Sequence, residues 1–146
     1  MSKSNTFEND LLLLLFNNTN ISDIGDATGV RGSTTAGTFW VSLHTGDPGE
    51  AGTAITSETA YTGYLRVAIA RSGAGFVVSG NSVSPAANID FAECSAAPGG
   101  AITYFGIVNT SSGAGKLLYS GTVTPSITMA VGVIPRLKTT STITED

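Results

Sequence analysis

The sequence has few of the residues that usually carry chemistry. Among its 146 residues there is one cysteine, Cys94, and one histidine, His44. A single cysteine excludes a disulfide framework within the chain. One cysteine and one histidine are also too few ligands to hold a structural metal. A catalytic triad needs a base, and nothing in the sequence ties His44 to a nucleophile. We therefore predict no catalytic residue, no cofactor-binding residue and no metal ligand, in a protein that is not an enzyme.

Charged residues are also scarce, at 12% of the chain, or about half the usual 25%. The seven Lys and Arg residues form no run, and the net charge is −4. Because binding to nucleic acid needs clustered cations, this composition excludes a nucleic-acid partner. The apolar run LLLLLF at 11–16 is too short for a bilayer span of about 20 residues. The sequence therefore predicts no membrane partner.

What the sequence does have is alternation of apolar and polar residues. The runs FWVSLH at 39–44 and YLRVAIAR at 64–71 place apolar side chains at every second position, which is typical of β-strands. Further β-type runs lie at 76–78, 87–91, 102–109, 116–124 (ending before Pro125), 127–131 and 140–144, with a hairpin signal at 79–82. No βαβ alternation is present. We predict an all-β fold, an antiparallel β-sandwich or jelly-roll-like domain with one N-terminal α-helix.

The N-terminal helix is predicted over residues 5–17. Asn5 is a candidate cap, and Glu8 three residues later completes a pair that resembles a capping box. Apolar residues lie on nearly all sides of this helix, so nearly all of its surface must be buried against other protein segments. Two interpretations stay open: the helix is sunk between the sheet and its own loops, or one side packs on a neighbouring subunit. The second interpretation predicts as partner-contact residues Phe7, Leu11, Leu12, Leu13, Leu15 and Phe16.

A length of 146 residues predicts a single domain overall. We divide it into an N-terminal helix with an extended arm at 1–38, which is a candidate to lie over an adjacent subunit, and a β-sandwich at 39–146. The long connection at 44–60 carries a Pro48-Gly49 pair, which is typical of a type II turn. Asp47 and Glu50 flank this turn and are two further candidate partner-contact residues.

Several stretches of the chain resemble a family of small virion structural proteins of tailed bacteriophages. The resemblance lies in LHTGDPGEAGTA at 43–54, YTGYLRVAIAR at 61–71, ITYFGIVNTSSGAGKLLYSGTVTPS at 102–126 and TITED at 142–146, and it extends to NTFENDLLLLLF at 5–16. Proteins of this kind are described as minor tail, tail-fibre-like or capsid cement proteins. The resemblance implies a virion protein that assembles in the bacterial host cytoplasm.

Three functions follow as expectations. The first is a capsid cement or decoration protein that stabilises the head lattice, since a helix and arms suit attachment to a repeating surface. The second is a minor tail or tail-fibre-associated structural protein. Both imply other virion proteins as partners, either the major capsid protein or tail proteins, and a homo-oligomer in the particle. A more distant third is a carbohydrate-binding module, for which Trp40, Tyr61 and Tyr64 are the candidate aromatic platform.

Overall fold

The computed structural model describes residues 2–26 and 28–146. Within these residues the protein contains one helix and nine strands. The helix is α1 (Asn5–Asn17), and the strands are β1 (Thr38–His44), β2 (Val67–Ala70), β3 (Phe76–Ser79), β4 (Ser82–Pro85), β5 (Ile89–Asp90), β6 (Ile102–Val108), β7 (Leu117–Ile127), β8 (Arg136–Leu137) and β9 (Ile143–Thr144).

The strands form antiparallel sheets. Among the described residues there is a four-stranded sheet in the order β2-β1-β6-β7, a three-stranded sheet in the order β3-β4-β9 and a two-stranded sheet of β5 and β8. The pairs β1–β6, β3–β4, β4–β9, β5–β8 and β6–β7 all run antiparallel. The predicted class, all-β and sandwich-like with one N-terminal helix, is confirmed.

The chain contains two compact units whose segments interleave along the sequence. The first unit comprises residues 1–38, 69–88 and 138–146, and the second comprises residues 39–68 and 89–137. The first unit holds α1 and the sheet β3-β4-β9, while the second holds β6, β7 and the β5–β8 pair. The division of one domain into 1–38 and 39–146 stays a prediction.

In the first unit, α1 has the predicted bounds but a different cap. The N-cap is Ser4 rather than Asn5, and the Ser4 Oγ accepts a hydrogen bond from the Phe7 amide at 3.4 Å. Ser4 has extended backbone angles, which is the conformation that an N-cap requires. The Ser4 carbonyl accepts the first intrahelical hydrogen bond, from the amide of Glu8 at 2.9 Å.

The buried face of α1 packs on β3. Leu12 and Phe16 are both fully buried, and the Phe16 ring meets the Phe76 ring edge-to-face with centroids 4.9 Å apart. Edge-to-face aromatic pairs of this geometry contribute about 0.5–1.5 kcal/mol beyond their buried area. The helix is therefore held by its own unit along this face.

A single arginine closes the C-terminal end of α1. Arg71 donates from Nε to the Leu15 carbonyl at 2.5 Å and from Nη2 to the Leu14 carbonyl at 2.7 Å. It also donates to the Ala36 carbonyl at 3.0 Å. The last carbonyls of a helix have no partner within the helix, and the helix dipole favours a cation there. Arg71 therefore ties the end of the helix to the segment that precedes β1.

The hairpin signal at 79–82 is confirmed in the same unit. β3 and β4 are joined by Gly80 and Asn81, with Ser79 paired to Ser82. Gly80 has a φ of 59°, so the positive angle falls on the first central residue, as in a type II′ turn.

In the second unit, β6 is the central strand of the large sheet and is buried. Its register places Phe105 opposite Leu43 and Ile107 opposite Val41, and all four side chains are buried. The predicted β-type run at 102–109 therefore forms a strand, which ends at Val108.

Some predicted strand limits in the second unit are wrong. β7 continues through Pro125 to Ile127, because the register with β6 shifts there and the ring nitrogen needs no partner in the ladder. The predicted strand at 127–131 therefore does not form. Residues 64–66 precede β2 instead of belonging to it, since the side chains of Tyr64 and Arg66 bind a carboxylate in the preceding loop.

We expect Arg71→Met to destabilise the first unit. The change leaves helix carbonyls that are half-enclosed without their charged donor, and hydrogen bonds to charged groups contribute about 1.5–3 kcal/mol each. Urea denaturation should show a lower free energy of unfolding. The matched control is Arg31→Met, which removes an exposed arginine of the same unit. Equal stability of the two variants would contradict the capping role.

Candidate functional site

The second unit contains a serine–histidine pair on one strand, β1. Ser42 and His44 are two residues apart, so their side chains share a face of the sheet. The Ser42 Oγ lies 2.8 Å from His44 Nε2, and His44 Nδ1 lies 2.8 Å from the Thr56 carbonyl. A carbonyl can only accept, which places the proton on Nδ1. The Ser42 hydroxyl therefore donates to Nε2.

This pair has the contacts of a nucleophile and a base, but it is enclosed. Ser42 and His44 are both 0% exposed. A Cβ added at Gly106, on the neighbouring strand, would stand 2.7 Å from Ser42 Oγ and 2.9 Å from His44 Nε2. The backbone of β6 thus closes the space in which a substrate would have to sit. In this arrangement the pair binds the loop carbonyl of Thr56 to the sheet.

Burial lowers the pKa of His44 below its ordinary value of 6.5, because desolvation disfavours the imidazolium. The nearby Arg66 charge acts in the same direction, whereas the hydrogen bond to Thr56 and the charge of Glu58 oppose it. His44 is therefore neutral at neutral pH, in agreement with the tautomer that the hydrogen bonds require.

A buried ion pair lies next to the histidine. Arg66 donates from Nε to Glu58 Oε1 at 2.7 Å and from Nη2 to Glu58 Oε2 at 2.8 Å. The side chains are 2% and 14% exposed, respectively. The hydrogen bond to Glu58 raises the pKa of Arg66, which stays charged. This two-pronged geometry is the strongest that an arginine and a carboxylate can form.

The rest of the guanidinium binds the backbone of two loops. Arg66 donates to the carbonyls of Thr110 at 3.0 Å and Gly113 at 2.9 Å, both in the β6–β7 loop. It also donates to the Ala54 carbonyl in the long connection at 3.3 Å. The Ala54 amide in turn donates to the Gly115 carbonyl at 2.9 Å. One side chain therefore fastens the 44–60 connection to the β6–β7 loop.

Tyr64 joins this network from the same segment. Its hydroxyl donates to Glu58 Oε1 at 2.8 Å and accepts from the Leu43 amide at 3.1 Å. Desolvation raises the pKa of the Tyr64 hydroxyl. Tyr61 is 2% exposed, and its hydroxyl donates to the Ala92 carbonyl at 2.8 Å. Desolvation raises the pKa of Tyr61 to about 12.

These contacts contradict the predicted sugar platform at Tyr61 and Tyr64, whereas the role of Trp40 in it stays a prediction. Tyr61 is buried, and its ring packs edge-to-face on Tyr64 with centroids 5.4 Å apart. The other side of Tyr64 stacks on Phe91 at 6.3 Å. Stacking of a sugar needs an exposed aromatic face, and these two rings are occupied by their own neighbours.

The helical partner-contact residues are distributed around α1. Leu12 and Phe16 lie on the buried face, whereas Phe7 is 39% exposed. The half-buried residues are Leu11, Leu13 and Leu15. The structure brings these residues together on one helix, and their contact with a partner stays a prediction.

Asp47 and Glu50, the other two predicted partner-contact residues, are exposed and lie in a groove of the second unit. The groove has a volume of about 570 Å³ and runs between the 47–52 turn and β7. Its β-sheet wall contains Tyr104 and Thr122, which are directly opposite each other on β6 and β7. The complete lining is Asp47, Gly49, Glu50, Gly52, Tyr104, Leu117, Leu118, Tyr119, Ser120, Gly121 and Thr122.

Sequence reasoning missed Arg66, Glu58 and Tyr104. The available signal was Arg66, which lies inside the apolar run YLRVAIAR, because a charged residue is rarely buried unless it is paired. The carbonyls that it binds come from distant parts of the chain, and no local pattern indicates them.

Within residues 2–26 and 28–146, no cluster of His, Cys, Asp or Glu could hold a metal ion. None of the helices in this part of the chain is both long and apolar enough to cross a bilayer.

The fold is β-rich, and the buried or half-buried side chains of Ser42, His44, Glu58, Tyr64 and Arg66 bind one another and the backbone. A family model described as Podophage GP4 fiber I protein gp80 matches residues 2–144. The chain belongs to this family, so the predicted resemblance to small virion structural proteins of tailed phages is confirmed, as is the virion location. No curated protein matches the chain at a significant level.

Breaking the buried ion pair should be costly. Arg66→Met leaves Glu58 buried without its partner, and removal of one member of such a pair costs about 3–5 kcal/mol. Arg66→Lys should also destabilise, since an ammonium cannot bind both carboxylate oxygens and the loop carbonyls together. Denaturant titration measures both effects.

The matched control for this experiment is the exposed pair Asp90–Arg136 of the same unit, whose side chains are 47% and 51% exposed. Solvent screens such pairs, so Arg136→Met should change the stability little. A similar loss from Arg66→Met and Arg136→Met would contradict the structural role of the buried pair.

The stability should also depend on pH through His44, the sole histidine. Because its folded pKa is lowered, the unfolded chain takes up a proton first as the pH falls through about 6.5. The unfolding free energy should then fall by up to about 1.4 kcal/mol per pH unit until the folded histidine titrates. In His44→Gln the slope between pH 7 and 5 should flatten. An unchanged slope in this variant would show that other groups cause the dependence.

Proposed function

We propose that this protein is a structural subunit of a podophage tail fibre. The observation that carries the proposal is the family match over residues 2–144, whose description is a fiber protein. This description agrees with the tail-fibre alternative better than with the capsid cement expectation. The chain would act as a rigid scaffold that binds other virion proteins.

The proposed role is not enzymatic. Ser42 and His44 are enclosed and bind a loop carbonyl, and Arg66 with Glu58 joins two loops. Groups that would serve as nucleophile, base or charge stabiliser in an enzyme are thereby engaged in structural contacts. This distribution of polar groups supports a scaffold rather than a catalyst.

The proposed partners are other fibre or tail proteins and further copies of this chain. Exposed large apolar side chains occur in both units, including Phe7 and Val77 in the first and Leu65 and Val131 in the second. Leu65 is 73% exposed and Val131 is 65% exposed. We propose that these side chains become buried against another subunit, since removal of apolar surface from water is favourable.

The test is the location and copy number of the chain in purified virions. We expect gold-labelled antibody against this chain to mark the tail end of the particle. We also expect quantitative mass spectrometry to find far fewer copies than of the major capsid protein, because a fibre repeats only a few times per tail.

The control is the same antibody pre-absorbed with the purified chain, together with an antibody against the major capsid protein. Label over the head at a copy number comparable with that of the capsid protein would favour cement and overturn the fibre assignment. Absence of the chain from virions would overturn any virion role.

A further inference from the structure

The groove beside the 47–52 turn combines three kinds of group. A half-buried tyrosine, Tyr104, stands in its β-sheet wall, and the hydroxyl residues Ser120 and Thr122 follow along β7. Ser120 is paired with Gly106 and Thr122 with Tyr104, so both hydroxyl residues share the face of Tyr104. The exposed carboxylates of Asp47 and Glu50 stand on the opposite wall.

The lining of this groove, which lies wholly within the described residues, contains no Lys, Arg or His. A phosphate or an acidic sugar would therefore meet two carboxylates and no cation. A neutral, polyhydroxylated molecule fits better, because carboxylates accept hydrogen bonds from hydroxyls and serine or threonine can both donate and accept. The apolar face of a sugar ring can also pack on the tyrosine ring.

We propose that this groove binds a neutral oligosaccharide. A sugar ring lies against Tyr104, its hydroxyls donate to the carboxylates of Asp47 and Glu50, and Ser120 and Thr122 bind its remaining polar groups. A groove of about 570 Å³ falls within the range of about 300–1,000 Å³ that small-molecule sites occupy. This binding site goes beyond the fibre role and does not rest on it.

The turn that carries Asp47 and Glu50 is held by hydrogen bonds of its own backbone and of the Asp47 side chain. Asp47 Oδ1 accepts from the Gly49 amide at 2.9 Å, and the Gly52 amide donates to the Gly49 carbonyl at 3.1 Å. Gly49 has a φ of 67°, which suits the type II turn that the sequence predicts. Directly after the turn, Ala54 is bound to the Gly115 carbonyl. A turn that is held in this way lowers the entropy cost of binding.

An acidic groove could also receive a basic peptide, but the wall formed by Tyr104, Ser120 and Thr122 favours the sugar. A lysine or arginine of such a peptide would bind to the carboxylates alone. The half-buried tyrosine and the two aligned hydroxyl residues would then make no contact that the ligand requires. The experiment must therefore separate the two ligands.

The purified full chain should be tested on an array of neutral and acidic oligosaccharides, with an octalysine peptide as the basic probe. We expect binding to neutral oligosaccharides only. For the neutral sugar with the strongest signal, isothermal titration should show at least a tenfold weaker affinity for Tyr104→Ala and near-normal affinity for Tyr104→Phe, which keeps the ring.

Asp47→Asn combined with Glu50→Gln tests the opposite wall at exposed positions, so this variant remains informative if Tyr104→Ala does not fold. It should weaken the sugar several-fold, while the matched control Glu93→Gln, an exposed acid outside the groove, should not. Failure of every neutral sugar to bind, selective binding of octalysine, or undiminished sugar affinity in the groove variants would each overturn the proposal. These results are independent of where the chain lies in the virion.

Discussion

The second unit depends on one guanidinium. Arg66 binds Glu58 through both carboxylate oxygens and reaches carbonyls in the 44–60 connection and in the β6–β7 loop. Loops of this length are usually mobile, yet here both are fastened to the same side chain. Because the pair is desolvated, its energy depends on every partner being present. The result is a sheet with two loops bound to one side chain beside it, and the groove lies between one of these loops and β7.

The same constraint explains why the serine and histidine of β1 have no access to substrate. The 44–60 connection brings the Thr56 carbonyl to His44, and β6 covers Ser42 from the neighbouring strand. Geometry that would serve acyl transfer in an open cleft serves here to attach a loop. A hydrogen-bonded pair of this kind identifies an active site only when a reacting atom can reach it.

Local sequence patterns predicted the secondary-structure elements that depend on residues close together in the sequence. Leucine propensity and an acidic first turn give α1 its predicted bounds, although the cap is Ser4. Gly80-Asn81 gives the β3–β4 hairpin, and alternation gives β1. The site could not be predicted in this way, since the ligands of Arg66 come from the 44–60 connection and from Thr110 and Gly113, which only the folded chain brings together. The predicted strand end before Pro125 is wrong, because the place of Pro125 beside a register shift depends on the partner strand.

The most direct test of this account is native-state hydrogen exchange of the amides that the Arg66 network protects. The Ala54, Thr45 and Thr59 amides donate to Gly115, Ser57 and Leu43 at 2.8–2.9 Å. If the loops are fastened as described, these amides open only with the core of the unit, and their opening free energies match those of the β6 amides. Exchange of the same amides as fast as that of the exposed turn at 50–51 would contradict it.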